Sequence, residues 1–189
     1  MIKPGLVVYM LLVTSLLLAS AVQAEMLPQH AEDAHLGVGT YDSSVCHGSV
    51  RPRSSASVLQ NEYVVWSRLD SHRDAYNILL SEESRWIAKN LGLENAHEAE
   101  VCLDCHADNV ALEKRGDRFQ INDGIGCEAC HGGAERYLSN HTDPGQTHQD
   151  NIADVMYPTD RIEDRAKVCL SCHIGAEQKM ASQEIKGAG

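Results

Sequence analysis

The most regular alternation of apolar and polar side chains in this sequence lies over residues 57–80. Apolar and aromatic residues recur there at near-helical spacing: Val58, Leu59, Tyr63, Val65, Trp66, Leu69, Tyr76, Ile78 and Leu79. This spacing brings side chains to one face of a helix, so the segment is predicted to be helical. His72 lies inside it, near the aromatic face, and is a candidate iron ligand. The alternative for a histidine within a helix is a solvated side chain.

Weaker patterns divide the rest of the chain. Four further segments are predicted to be helical or to contain a helical turn: residues 81–90, 94–114, 127–139 and 161–173. Two segments rich in glycine, proline, asparagine and aspartate are predicted to be loops: residues 115–126 and 140–160. The predicted fold class is therefore mainly α with extensive loops.

The first 24 residues have the pattern of a secretory signal peptide. Lys3 precedes an almost unbroken apolar run over residues 6–18, and small residues lead to a cleavage site after Ala24. An uncleaved membrane anchor is the alternative, but the run is short for a span of about 20 residues. We therefore expect a periplasmic or otherwise exported protein with no stable membrane span after cleavage.

The remaining chain is predicted to divide into three parts. Residues 25–45 form a polar N-terminal arm, either ordered on contact or mobile, in which His30 and His35 are interpreted as surface residues. Residues 46–175 form the principal domain. Residues 176–189 form a polar tail.

Composition indicates that something besides side chains fills the core. Beyond the signal peptide the chain has one phenylalanine, Phe119, and two tryptophans, Trp66 and Trp86. A large flat cofactor would supply the missing apolar bulk. The formal net charge of the whole chain is −11, which disfavours nucleic-acid binding and favours either a solvated surface or attraction of basic redox partners.

The cysteines are the strongest chemical signal. The chain has seven, and an odd number argues against a simple disulfide framework. Six form three Cys-x-x-Cys pairs, each followed directly by histidine: Cys102, Cys105 and His106; Cys127, Cys130 and His131; Cys169, Cys172 and His173. This spacing lets two thiols add to the two vinyl groups of haem while the histidine binds the iron, and it predicts covalent haem attachment.

Zinc is the main alternative at these motifs. Cys102, Cys105, Cys127 and Cys130 have the spacing of a four-thiolate structural zinc site. Such a site does not need a histidine after each second cysteine. With ten histidines in 189 residues, three such coincidences have a probability of roughly one in seven thousand, which favours haem.

The seventh cysteine, Cys46, is followed by His47 and Gly48. Ser43 stands where a first haem cysteine would be. We interpret residues 43–47 as a haem motif with one cysteine replaced, so that a fourth haem c is held by a single thioether to Cys46. The alternative is a free thiol, which is a liability in an exported protein.

The motifs together resemble the multihaem cytochrome c-554 and c-prime family over about residues 45–173. The resemblance includes Ser44-Val45-Cys46-His47-Gly48, the segment of Trp66, Ser71-His72 and Ala75-Tyr76, Gly126-Cys127-Glu128-Ala129-Cys130-His131-Gly132, and Cys169-Leu170-Ser171-Cys172-His173. It implies a small tetrahaem cytochrome c fold, in which helices and loops enclose closely packed haems.

The resemblance also implies a ligand map. The proximal ligands of haems 1 to 4 would be, in order, His47, His106, His131 and His173. The family pattern implies His72 as the distal ligand of haem 3 and His141 as that of haem 1. His97 and His148 remain as candidates for haems 2 and 4. Longer relatives carry a later histidine that caps haem 4, and the residues after His173 contain none.

These expectations lead to three functional hypotheses. Bis-histidine ligation saturates the iron and suits one-electron transfer between redox partner proteins. A five-coordinate haem would instead allow enzymatic redox chemistry on small nitrogen or sulfur compounds. A haem 4 left open and capped by another subunit would favour a homo-oligomeric assembly. The first is the principal prediction, and it requires no catalytic residue.

Overall fold

The computed structural model describes residues 26–54, 58–176, 179 and 183–188. The predicted signal peptide lies outside these residues, as does part of the predicted tail. The α-helices within the described residues are α1 Glu62–Leu69, α2 Ala75–Ile78, α3 Glu82–Asn90, α4 Glu100–His106, α5 Glu128–His131, α6 His148–Ala153, α7 Ile162–His173 and α8 Gln183–Lys186. Long irregular segments and short 3₁₀ turns connect them. The prediction of a mainly α fold with extensive loops is confirmed.

The predicted single helix over residues 57–80 is wrong. Helix α1 begins at Glu62 and ends at Leu69, and Asp70 then has extended backbone angles (φ −98°, ψ 121°). The Asp70 side chain accepts a hydrogen bond from the backbone amide of His72, which begins a 3₁₀ turn over Ser71–Asp74. Aspartate is favoured at such caps because its side chain satisfies an amide that lacks a helical partner. The apolar periodicity continues through a break that this local hydrogen bond creates.

The other predicted helices agree with the structure to different degrees. Helix α3 follows Ser81, whose side chain accepts from the Ser84 amide, and α7 matches its predicted range closely. The predicted helix over residues 94–114 contracts to α4 and a 3₁₀ turn at Leu112–Lys114. Helix α6 lies in a segment predicted to be irregular, and a capping box of Thr147 and Asp150 begins it.

The N-terminal strap, which we define as residues 26–41, is packed into the fold. His35 has no exposed surface, so the interpretation of this residue as a surface histidine is wrong. Its Nδ1 lies 2.7 Å from an Asp108 carboxylate oxygen. Gly133 lies against the strap so closely that a Cβ there would be 2.6 Å from the Asp33 carbonyl oxygen. Of the two alternatives for the N-terminal arm, these contacts favour the one in which it is ordered by contact with the rest of the fold.

The core is small and split, as the composition suggested. One cluster of buried residues contains Leu79, Ala88, Ala96, Leu103 and Ala107, and a second contains Tyr41, Ala134 and Tyr137. Four large apolar side chains close in sequence to His72 and His173 are more than half exposed: Leu69, Ile78, Leu170 and Ile174. Single exposed apolar residues are ordinary, but a large apolar cofactor bound at these two histidines would cover neighbouring ones. Among the described residues, no helix has the length and apolar character of a membrane span.

Candidate haem-binding sites

Each of the three complete motifs lies at the end of a helix. Helices α4, α5 and α7 end at His106, His131 and His173 respectively. Residues three and four apart lie on the same helix face, so a helical motif presents both thiols and the imidazole in one direction. Gly132, with a φ of 81°, follows α5 directly, and this positive φ favours glycine because it has no Cβ.

The incomplete motif forms a tight turn instead of a helix. The Ser43 carbonyl accepts hydrogen bonds from the amides of Cys46 and Gly48, each at 2.9 Å. A Cβ at position 48 would lie 1.8 Å from the Asp42 carbonyl oxygen, so only glycine fits there without rearrangement. The turn leaves Cys46 half-buried beside His47. The prediction of a single-thioether haem at Cys46 stays a prediction.

Two pairs of histidines lie at a ring spacing that is compatible with binding a single iron between them. Two imidazoles bound through Nε2 on opposite faces of a metal have ring centres about 6 Å apart, since each metal–nitrogen bond is about 2 Å and each ring adds about 1 Å. The ring centres of His47 and His141 are 6.4 Å apart, with planes inclined by 10°. Those of His72 and His173 are 6.2 Å apart, with planes inclined by 78°.

The second pair differs from the pairing that the resemblance implies. The resemblance assigned His72 to haem 3, beside His131, but its ring contacts the histidine of the last motif, His173. The physical reason is the break at Asp70, which turns His72 away from the line of α1. The His72 carbonyl then accepts from the Ile125 amide at 3.0 Å and fixes this turn against the loop before α5.

Five of the candidate ligand histidines have an oxygen acceptor near Nδ1. In four of them the distance is below 3 Å, and in His131 it is longer. The acceptors are Glu62 for His47, Asp70 for His72, the Ala75 carbonyl for His106, the Leu138 carbonyl for His141 and, at 3.4 Å, the Thr159 hydroxyl for His131. Metal-bound histidines commonly donate the second ring nitrogen in this way, which fixes the tautomer and leaves Nε2 for the metal. Burial alone would raise the pKa of Glu62, but the hydrogen bond with His47 lowers it below its usual value.

The other candidate ligands are not brought into such pairs. His97 lies 3.9 Å from a Glu98 carboxylate oxygen, and His148 Nε2 lies 3.1 Å from that of Asp160. Among the described residues, no second ring contacts that of His106. In the described part of the chain, neither His106 nor His131 therefore has a second histidine ring at a comparable spacing.

The thiols of different motifs come close to one another. A hydrogen bond between Cys105 and Cys172 lowers the pKa of Cys172 and raises that of Cys105. Burial raises the pKa of Cys130 to about 11, and Cys169 and Cys172 are near enough to add to this rise. Lys179 Nζ lies 3.2 Å from the Cys172 sulfur. The attachment points of the three complete motifs therefore converge.

This arrangement differs from the zinc alternative. Within the described residues, no group of three or more histidine, cysteine, aspartate or glutamate side chains has the geometry to hold a metal ion. Cys105 instead contacts Cys172, a residue outside the proposed four-thiolate set. No disulfide bond joins any of the seven cysteines.

Sequence reasoning missed several residues that position these motifs. Glu128 stands between the two cysteines of the second motif, is 2% exposed, and accepts hydrogen bonds from the amides of Leu36, Gly37 and Ala134. Asp108 lies two residues after His106 and holds His35. The proximity of Asp70 to His72 in the sequence was a usable signal for a histidine-orienting carboxylate. No local pattern indicated the partners of Glu128.

Comparison with known proteins gives one match. Residues 43–132 match the family model of cytochrome c554 and c-prime, a range that includes the Cys46 turn and the motifs of α4 and α5. No curated protein and no solved structure matches the chain. Over residues 43–132 the chain is similar to the cytochrome c554 and c-prime family, and this match supports a c-type cytochrome, an electron carrier with covalently bound haem.

Proposed function

We propose that this protein is an exported tetrahaem cytochrome that passes single electrons between redox partner proteins. The observation that carries the proposal is the presence of two histidine pairs, His47 with His141 and His72 with His173, at the spacing of axial ligands. When bound, haem supplies the one-electron redox chemistry. The residues of the chain attach it, ligate its iron and tune its potential.

The proposed attachment sites use all seven cysteines. Haems 2, 3 and 4 are each held by two thioethers, and haem 1 is held by Cys46 alone. The attachment residues of haems 2 to 4 are Cys102, Cys105, Cys127, Cys130, Cys169 and Cys172. The exposed apolar residues near His72 and His173 support the fit of a large apolar group there.

Ligation by two histidines favours electron transfer over substrate binding, because it leaves the iron no free position. We assign haem 1 to His47 and His141 and haem 4 to His72 and His173. Because His72 lies against His173, we propose no capping of haem 4 by another subunit. The convergence of Cys105, Cys130 and Cys172 supports short distances between the attached haems.

Mass spectrometry of the mature protein tests the haem count and the processing together. We expect four haems on a chain that begins after Ala24, and no reaction of Cys46 with an alkylating reagent. The Cys46→Ala variant should retain three covalent haems. Three haems in the native protein with an alkylatable Cys46, or four covalent haems in the variant, would contradict the single-thioether assignment.

A five-coordinate haem 2 is the alternative, and it would support redox chemistry on a small nitrogen or sulfur compound. The observation in its favour is that, within the described residues, the His106 ring has no second ring against it, and the same holds for His131 of haem 3. Carbon monoxide added to the reduced protein distinguishes the enzyme from the electron carrier. A spectral shift equivalent to one or two haems supports the enzyme, and an unchanged low-spin spectrum supports the closed electron carrier.

The proposed partners are proteins with basic surfaces. The net charge of −11 would attract them over distances comparable to the screening length and would raise association rates. We expect the rate of electron exchange with a basic redox protein to fall steeply as ionic strength rises. A rate independent of salt would contradict electrostatic steering.

A further inference from the structure

The acceptors that contact the paired histidines differ in charge. His47 and His72 lie against the carboxylates of Glu62 and Asp70. His141 lies against a backbone carbonyl. A carboxylate acceptor withdraws the Nδ1 proton more strongly than a carbonyl, because charge-assisted hydrogen bonds are roughly twice as strong as neutral ones. Each of the two histidine pairs therefore contains one ligand with a charged acceptor.

Glu62 is held in place by the start of α1. Its Oε2 lies 2.9 Å from His47 Nδ1, and its Oε1 accepts from the Gln60 amide at 3.2 Å. The next residue, Tyr63, donates its amide to the His47 carbonyl at 3.0 Å. The carboxylate and the backbone of His47 are thus both fixed by the same helix terminus.

Asp70 is held in place by the turn that ends α1. Its Oδ1 accepts from the His72 amide at 3.0 Å and lies 2.9 Å from His72 Nδ1. One oxygen therefore caps the 3₁₀ turn and orients the ring. Both carboxylates are 40–45% exposed, so solvent weakens their effect without removing it.

We propose that Glu62 and Asp70 are positioning residues that lower the reduction potentials of haems 1 and 4, an inference that rests on the function proposed above. A carboxylate that accepts the Nδ1 proton makes the imidazole a stronger donor through Nε2. A stronger donor stabilises ferric over ferrous iron and lowers the potential. In the redox step one electron enters or leaves the iron, the Nδ1 proton stays on the ring, and no bond breaks.

The test is a reductive titration with dithionite and mediators, monitored by electron paramagnetic resonance. Near-parallel and near-perpendicular imidazole planes give different low-spin ferric signals. The ring angles of 10° and 78° therefore allow haems 1 and 4 to be followed separately. The variants are Glu62→Gln and Asp70→Asn, which keep an oxygen acceptor but remove its charge.

Asp74→Asn is the matched control. Asp74 lies in the same 3₁₀ turn as His72 but contacts Arg73 and Asn77 instead of a histidine. It therefore reports the effect of removing a nearby charge without altering a ligand. Asparagine caps a helix as well as aspartate does, so the fold of the Asp70→Asn variant should be intact.

We expect each variant to raise the potential of its own haem by about 59 mV, which corresponds to a tenfold change in the one-electron equilibrium. The other haem and the Asp74→Asn protein should change much less. Unchanged potentials, or an equal rise in the control, would overturn the inference. If Glu62→Gln fails to assemble, Asp70→Asn decides the question alone.

The same measurement separates this inference from the proposed function. If the native protein lacks one of the two bis-histidine signals, the proposed ligation is wrong. If both signals are present and the potentials do not respond to the variants, the ligation stands and only the role of the carboxylates is wrong.

Discussion

Glu128 offers the sharpest test of how the haem motifs are held in place. Its carboxylate is nearly fully buried and accepts from three backbone amides, those of Leu36 at 2.8 Å, Gly37 at 2.7 Å and Ala134 at 2.9 Å. Two of these amides belong to the N-terminal strap, about 90 residues earlier in the chain. The carboxylate thus joins the strap to the helix of the second haem motif.

The Glu128→Gln variant removes the charge and one acceptor while keeping the size. The remaining side-chain oxygen can accept from the amides of Leu36 and Ala134. The new side-chain NH₂ group then faces the Gly37 amide, and because both are donors this hydrogen bond is lost. Hydrogen bonds to charged groups contribute about 1.5–3 kcal/mol each and neutral ones about 0.5–1.5 kcal/mol. One lost bond and two weakened bonds give an expected loss of about 2–4 kcal/mol in the free energy of unfolding.

Guanidinium unfolding followed by far-ultraviolet circular dichroism measures this loss as a lower midpoint at unchanged slope. Glu135→Gln is the control, because Glu135 is exposed and accepts from one strap amide, that of Ala34 at 3.0 Å. It removes the same charge and should change the free energy of unfolding by at most about 0.5 kcal/mol. If both variants lose the same free energy, the buried carboxylate does not hold the strap.

Three further predictions concern the strap, the first haem turn and α6. Burial alone would lower the pKa of His35, but its hydrogen bond with Asp108 raises it. The stabilisation by protonated His35 should therefore be complete below about pH 6.5 and decline as the pH rises above that value. In unfolding experiments at a series of pH values, His35→Gln should remove this decline. Gly48→Ala should reduce the free energy of unfolding by about 1–3 kcal/mol. It should also reduce the amount of haem attached covalently at the first motif, as measured by mass spectrometry. Gly39→Ala is the control, because the space around Gly39 is open, and it should change neither quantity. Thr147→Ala removes a capping box and should lower the unfolding free energy by about 1 kcal/mol; an unchanged midpoint would contradict a stabilising role for the cap.

The helices show where sequence patterns succeed and where they fail. Helix α3 was predictable because the Ser81 cap marks its start locally, and α7 occupies nearly the range predicted for it. The break after Leu69 was not, because the apolar pattern continues across it while Asp70 binds the His72 amide. Helix α6 was missed although the Thr147–Asp150 capping box was present in the sequence, since the surrounding breakers dominated the interpretation.

The histidines show the same division. His35 has no exposed surface and contacts Asp108, which lies 73 residues later in the chain. No pattern in the sequence near His35 indicates this contact. The pairing of His72 with His173 joins residues 101 positions apart. A family pattern implied a different partner, and the local turn at Asp70 decided the direction of the ring.

The sequence by itself determined the chemistry of attachment. Cys-x-x-Cys-His is a local motif whose five residues suffice to predict thioether formation and a proximal ligand, so the cofactor class could be inferred before any fold was known. The resemblance to the family rested on the order of the motifs and on His72 between the first two. Only the tertiary structure decided which histidines meet and which carboxylates and amides hold them. Those contacts depend on chain segments brought together by packing, and sequence spacing does not encode them.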